Sequence, residues 1–432
     1  MPANSWRDLV SSKVGVVTSL SPQMRDVQEP LPPYLYTAML ANFDFRAVDK
    51  QERMAAGKGR TEEAAMAAAI GEATERYCAN HWDERKTFTA KWAQVKEAAV
   101  SPAQCVLYSE RQYGLPNWRF QRWDPETEVT WIPAVELPAQ RQVAAPASLV
   151  YLVYPTPRTA DLFAPATSNG LAAGPSLSAA ILSGVCELME RDALLIAWMN
   201  RLPAVEIEIE DGVVGHVVRH YADAGVEVRA FQMRSDLPAS AIMAIAIDSD
   251  PQRPATIAGM GCHPSPAIAL EKAIFELCQA RPSEGKRHLD SPPAGRLREY
   301  QDVTTLEDHA AFASLPERKH EWEFLWARGE KARVGDLPDP SHHDAALDLD
   351  IVARHLRAAG HGLIYADLTT SDIRSCGIHV VRTLAPGLQP IHFGWDQERL
   401  GGRRVFELPR QLGLAATDRT EADLNRCPHP LA

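Results

Sequence analysis

The chain has 432 residues, of which 45% are apolar and 23% charged, enough to bury a large core as one big domain or two to three subdomains. Its net charge of -11, with no basic block, argues against a nucleic-acid partner. No apolar run reaches the roughly 20 residues that a membrane helix needs. The opening MPANSWRDLVSSK lacks the basic and apolar regions of a secretion signal, so a cytoplasmic protein with no membrane partner is expected. The seven cysteines, Cys78, Cys105, Cys186, Cys262, Cys278, Cys376 and Cys427, are odd in number and form no C-x-x-C motif. They read as reduced and mostly structural, with neither a disulfide framework nor a zinc site.

In chain order, residues 1–50 read as irregular structure with short strands, VGVVTSL among them, and QEPLPPYLY is extended and broken by proline. After a Gly-Lys-Gly turn at 57–59, TEEAAMAAAIGEATERYCANHW is a strong helix, rich in alanine and glutamate and opened by Thr61 and Glu63. Residues 96–150 mix strand and loop. SNGLAAGPS at 168–176 reads as a glycine-rich turn feeding a second helix, LSAAILSGVCELMERDALLIAWMNR. VEIEIE alternates with period two, as a half-buried strand does, and VEVRAFQM and SAIMAIAID are further strands. A third helix, SPAIALEKAIFELCQAR, is expected to end near Pro282. Residues 283–345 are proline-rich and weakly patterned, like an insertion or linker, and His342 and His343 fit a solvated loop. DIVARHLRAAG is helical, GLIYADL and GIHVVRTL are strands, and the tail from about 415 is polar. Irregular alternation of strands and helices predicts a mixed α/β (α+β) architecture.

The three long helices share one pattern. They carry Glu72 and Glu75, then Glu187 and Glu190, then Glu276 and Gln279, each pair three residues apart and therefore on one helix face. Arg76 and Arg191 follow two of the pairs directly. A single such pair is adequately explained as a solvated, salt-bridged stripe. Three related pairs are not, and the second helix is apolar enough, with Ile181, Leu182, Val185, Met189 and Leu194, to be largely buried. Buried carboxylates need cations or donors, and carboxylates from separate helices suit a hard divalent ion such as magnesium, which also bridges to nucleotide phosphates. Gly57-Lys58-Gly59, before the first helix, can bring backbone N–H groups and an ammonium to phosphate. It is not a Walker A loop: Glu52 stands in place of the first glycine, and no Ser or Thr follows Lys58. Asn169-Gly170 precedes the second helix in the same way. No G-x-S-x-G element suggests hydrolase chemistry.

With these motifs in order, the chain resembles the YcaO-domain family over roughly residues 50–430. AGKGRTEEAAMAAAIGEATERYCAN, SNGLAAGPSLSAAILSGVCELMERDA and the run from GMGCHP to AIFELCQAR resemble its three nucleotide motifs. VVRTLAPGLQPIHFG and the proline-containing C-terminus resemble its azole-forming cyclodehydratase branch. The resemblance implies an N-terminal segment 1–56, a catalytic domain 57–415 and a proline-containing tail 416–432. It implies ATP and magnesium as cofactors, bound by Lys58, Glu72, Glu75, Arg76, Asn169, Glu187, Glu190, Arg191, Glu276 and Gln279. Of these, Glu72, Glu75, Glu187, Glu190 and Glu276 are the metal candidates. It implies activation of a backbone amide in a ribosomal precursor peptide, giving a thiazoline or oxazoline, with the tail residues Pro428, Pro430 and Ala432 placing the amide. The tail ends P-x-P-x-A in place of P-x-P-x-P, and position 68 is Ala where many relatives carry Ser. About 56 residues precede the first nucleotide motif, too few for a leader-binding domain with its linker. A separate leader-peptide-binding partner protein is therefore expected, and family analogy adds a homodimer and a flavin-dependent azoline dehydrogenase. The alternatives are thioamide or amidine formation, and a non-catalytic scaffold that binds peptide and partner.

Overall fold

The computed structural model describes residues 5–25, 29–41, 53–154 and 159–431, which make up two compact units. Described residues within Met1–Gln23, Tyr34–Leu188 and His342–Leu388 form the first unit, and those within Met24–Pro33, Met189–Ser341 and Gln389–Ala432 the second.

The first unit holds two antiparallel sheets. Val17–Pro22, Tyr34–Leu40 and Met54–Gly59 form a three-stranded sheet with Tyr34–Leu40 central, Thr37 opposite Ala56. The helix Glu62–Asn80 lies on it through Ala65, Ala69, Ile70 and Ala73, all fully buried. The small residues let the backbones approach closely. A Cβ on Gly57 would stand 2.1 Å from the Ala69 nitrogen and 2.2 Å from the Ala65 oxygen, so only glycine fits there. The other sheet runs Phe88–Ala90, Val129–Leu137, Leu363–Asp367, His379–Leu384, Leu171–Gly174, with Arg141–Pro146 also paired to Val129–Leu137. Leu171–Gly174 lies inside the segment expected to be only a turn: its N–H and C=O groups find partners in His379–Arg382.

The second unit carries a five-stranded sheet, ordered Thr256–His263, Ser240–Asp248, Val226–Gln232, Val205–Glu208, Lys331–Arg333, in which only the last pair is parallel. The helix Pro266–Asp290 packs on it through Ala269, Ala273, Ile274 and Leu277. It does not stop at Pro282. The proline removes one N–H donor, yet the next turn stays helical and carries Glu284–Arg287 and Lys286–Asp290 ion pairs. Nor is 283–345 a linker. It contains the helix Leu306–Ala313 and buries His309, Phe312, Trp322 and Leu325.

The two units repeat one local device. Gly57, Ala65, Ala69, Ile70 and Glu72 recur as Gly261, Ala269, Ala273, Ile274 and Glu276 at one constant spacing. Only Thr61 caps its helix through its side chain, but the N-cap positions match as well, Thr61 and Ser265. So do the contacts: a Cβ on Gly261 would stand 2.2 Å from the Ala269 oxygen and 2.6 Å from the Ala273 nitrogen. Each unit thus presses a glycine of one strand against an alanine-rich helix that carries the acid of interest.

The seven cysteines are free thiols, as expected. No helix among the described residues is long and apolar enough to cross a membrane.

Candidate functional site

The repeated device aims carboxylates at backbone. The Ala56 N–H donates to Glu72 Oε2 at 3.0 Å, and Glu72 also pairs with Arg76 one turn later. On the same face, Glu75 Oε1 accepts from the Ala173 N–H at 2.7 Å. Glu187, on the helix Leu177–Asn200, accepts from the Gly170 N–H at 3.0 Å. In the second unit Glu276 takes a longer bond, 3.4 Å, from the Met260 N–H. Each acid is therefore oriented by a neighbouring strand or turn and not left as a solvated stripe. Such a bond contributes about 1.5–3 kcal/mol where the carboxylate is ionised and the geometry good.

The first unit brings Glu72, Glu75, Arg76, Asn169 and Glu187 together, and Lys58 stands on the strand under the same helix. Burial, with Glu72 and Glu187 adding repulsion, pushes the Glu75 carboxyl up to about 8, although the Ala173 N–H and Arg76 pull the other way. The ionised form of Glu75 is thus disfavoured in this buried cluster, and a cation placed beside it would favour that form.

The chain's answer within the unit is Arg382, which motif reading missed. It lies on the strand His379–Leu384, 2% exposed, and donates to three carbonyls: Val150 at 2.8 Å, Asn169 at 2.6 Å and Thr167 at 2.7 Å. Burial lowers its pKa to about 10, while the nearby Glu187 and Glu75 favour its charge. Its sequence signal is one arginine inside the otherwise apolar run HVVRTL. The neighbouring Thr383 donates to the Gly170 carbonyl from both its N–H, at 2.7 Å, and its hydroxyl, at 2.9 Å. Gly170 has φ 85°, and a Cβ there would lie 2.6 Å from the Thr383 oxygen, so this turn requires glycine. Asn169 is 8% exposed, and its Oδ1 is buried with no hydrogen-bond partner among the described residues.

The second unit holds the remaining predicted groups. Glu190 is buried beside Arg191, carboxylate to guanidinium 3.4 Å. The next residue, Asp192, is fully buried, accepts from the Gln389 N–H at 2.7 Å and pairs with Arg404 at 2.8 Å, and Arg404 also grips Asp236. Although burial opposes it, Asp192 and Asp236 hold the Arg404 charge well above its usual range. Gln279 is half-buried. The end of the tail is not solvated. Cys427 through Leu431 are buried, Pro428 and Pro430 included, and Ala432 lies outside the described residues. The Trp198 indole donates to the Cys427 carbonyl at 2.8 Å. The buried His309 bonds the His429 carbonyl at 2.8 Å and accepts the Gly394 N–H at 2.8 Å. Asp192 stands at the end of the second motif without being singled out by it, and His309 and Arg404 had no motif to mark them.

The fit of magnesium and nucleotide can be judged from these groups. Among the described residues, no three His, Cys, Asp or Glu side chains make a ready metal cluster. Magnesium, however, commonly takes one or two carboxylates and completes its shell with water and phosphate oxygens. The clustered carboxyls of Glu72, Glu75 and Glu187, and the buried Asn169 oxygen without a partner among the described residues, fit that demand.

Residues 56–389 match the family model described as YcaO cyclodehydratase, ATP- and Mg2+-binding. An uncharacterized protein of Methanothermobacter thermautotrophicus is 31% identical over 81% of this chain and 84% of its own length. Among solved structures, a heterocyclase in complex with substrate and cofactor superposes with a TM-score of 0.82 at 26% identity, covering 99% of this chain and 56% of that one. The heterocyclase TruD gives 0.65 at 25% identity, covering 85% of this chain and 50% of that one. The chain thus spans about half the length of these two heterocyclases.

Proposed function

Because the chain belongs to the YcaO family of ATP- and Mg2+-binding cyclodehydratases, we propose that it activates backbone amides of a ribosomal precursor peptide and closes Cys, Ser or Thr side chains into azolines. The observation that carries this reading is the oriented set Glu72, Glu75 and Glu187, whose crowding and burial disfavour the ionised Glu75, with Arg382 as a buried cation nearby.

In this reading ATP is a substrate. The side-chain sulfur or oxygen attacks the preceding carbonyl carbon and loses its proton. The resulting oxyanion takes the γ-phosphoryl group as the bond to the ADP oxygen breaks. Phosphate then leaves, the C=N bond forms and the amide proton departs. The amide oxygen is a poor leaving group as oxide or hydroxide, and phosphorylation removes that obstacle. The acids that would serve magnesium are Glu72, Glu75 and Glu187 in the first unit and Glu190 and Glu276 in the second, and the metal would supply charge neutralisation at the phosphates. Lys58, Arg76 and Arg191 add positive charge, and Asn169 and Gln279 add amide contacts to the nucleotide. Residues 428–432 place the peptide amide. A separate protein captures the leader, an azoline dehydrogenase acts on the product, and the chain works in the cytoplasm as a homodimer.

The decisive experiment is mass spectrometry of a Cys-containing precursor peptide incubated with the chain, its leader-binding partner, ATP and Mg2+. Loss of one water per modified residue, tied to ADP formation, is expected. An oxygen-to-sulfur exchange would reassign the chain to thioamide formation. ATP-independent peptide binding with no mass change would make it a scaffold. Deleting residues 428–432 should suppress dehydration while leaving ATP affinity in place.

A further inference from the structure

The strand His379–Leu384 is outside the three acidic motifs, yet two consecutive residues on it hold the turn that carries Asn169. Arg382 spends donors on the Thr167 and Asn169 carbonyls, and Thr383 spends two donors on the Gly170 carbonyl. The Gly170 N–H is committed to Glu187. The backbone of the turn is thereby fixed from both sides, while the buried Asn169 Oδ1 has no partner among the described residues. A buried carboxamide oxygen without a donor is costly to hold, so it marks a group held ready for a ligand.

We propose that Arg382 and Thr383 are positioning residues for nucleotide binding: they clamp residues 167–170 so that the Asn169 carboxamide meets the incoming Mg2+–ATP. The inference rests on the nucleotide-site reading above and goes beyond it by assigning two residues outside the acidic helices. Arg382 acts through geometry. Its guanidinium serves three carbonyls at once, which a lysine ammonium on a flexible stem cannot reproduce. Thr383 acts through its hydroxyl, which Ser retains and Val lacks.

The test is calorimetric titration of Mg2+–ATP into the full chain and its variants, with thermal stability measured alongside. Asn169→Ala and Arg382→Lys should each weaken binding at least tenfold, and Thr383→Val about threefold to tenfold. Thr383→Ser should restore the wild-type affinity. The double variant Arg382→Lys/Asn169→Ala should bind no more than about threefold more weakly than Asn169→Ala alone, because residues acting through one another do not add. Effects that multiply, or wild-type affinity in Arg382→Lys and Thr383→Val despite lowered stability, would show a purely structural role and overturn the proposal. If Arg382→Lys does not fold, the Thr383→Val and Thr383→Ser pair decides, in combination with Asn169→Ala. A wild-type chain that binds no Mg2+–ATP would instead remove the nucleotide-site reading, and this inference with it.

Discussion

The rings of His309 and His429 stack with centroids 4.0 Å apart, and His309 Nδ1 donates to the His429 carbonyl. His309 Nε2 accepts the Gly394 N–H, so both ring nitrogens are engaged and the imidazole is held neutral. His429 in turn bonds the His392 carbonyl at 2.7 Å. Three buried imidazoles therefore hold the tail within the second unit.

This cluster predicts acid lability. Burial pushes His309 down to about 4 and lowers His392 and His429 as well. Unfolded histidines take up protons near pH 6.5, so between about 6.5 and 4 the unfolded state binds more protons. The stabilisation is fully present above about pH 6.5 and falls as pH drops toward 4. His309→Asn keeps a donor near Nδ1 but does not titrate. Thermal melts from pH 7.5 to 4.5 should show a shallower decline for this variant than for the wild type. Parallel curves would show that His309 contributes nothing to the pH dependence.

Glu75 predicts the opposite slope. Its carboxyl, raised to about 8, keeps its proton when folded and loses it near 4.5 when unfolded. Stability from this group is present below about pH 4.5 and is lost as pH rises toward 8. Glu75→Gln should therefore gain on the wild type with rising pH, by about 5 °C in Tm at pH 8.5 without Mg2+ or ATP. The same variant should bind Mg2+–ATP at least tenfold more weakly. A variant less stable than wild type at pH 8.5 would show that the ionised Glu75 is not disfavoured in the folded chain.

Glu187→Gln should keep the fold and lose most magnesium-dependent ATP turnover, because the neutral amide still accepts the Gly170 N–H but offers less to a cation. Circular dichroism beside an ADP-release assay checks both halves. Unchanged turnover with unchanged magnesium dependence would remove Glu187 from the site.

Gly57→Ala and Gly261→Ala should be similarly destabilising, by about 3 kcal/mol or more, because each new methyl meets helix backbone that cannot move aside. Gly212→Ala provides the steric contrast, since its Cβ would meet nothing within 4 Å, although φ 120° carries its own strain. Denaturant melts that leave Gly57→Ala at wild-type stability would disprove the repeated strand-on-helix contact.

The acidic helices were legible because helix periodicity puts residues three apart on one face, whatever surrounds them. Their starts were legible from Thr61, and the apolar second helix announced its own burial. Pro282 misled because a proline's lost hydrogen bond is a local cost that tertiary packing can offset. The segment 283–345 misled because its buried residues are spread over short helical turns too brief to show a period. Arg382 stayed hidden because its partners, Val150, Thr167 and Asn169, are carbonyls, which every residue type carries alike.

The sequence by itself determined which side chains are acidic, which helices bear them, and which glycines stand before them. Those properties follow from residue type and near-neighbour spacing. The tertiary structure decided what each acid faces: Ala56 for Glu72, Ala173 for Glu75, Gly170 for Glu187. It also decided that Arg382 and Thr383 hold the Asn169 turn and that His309 holds His429. Such contacts join residues far apart in the chain through backbone groups and burial, and neither leaves a residue-type signature along the chain.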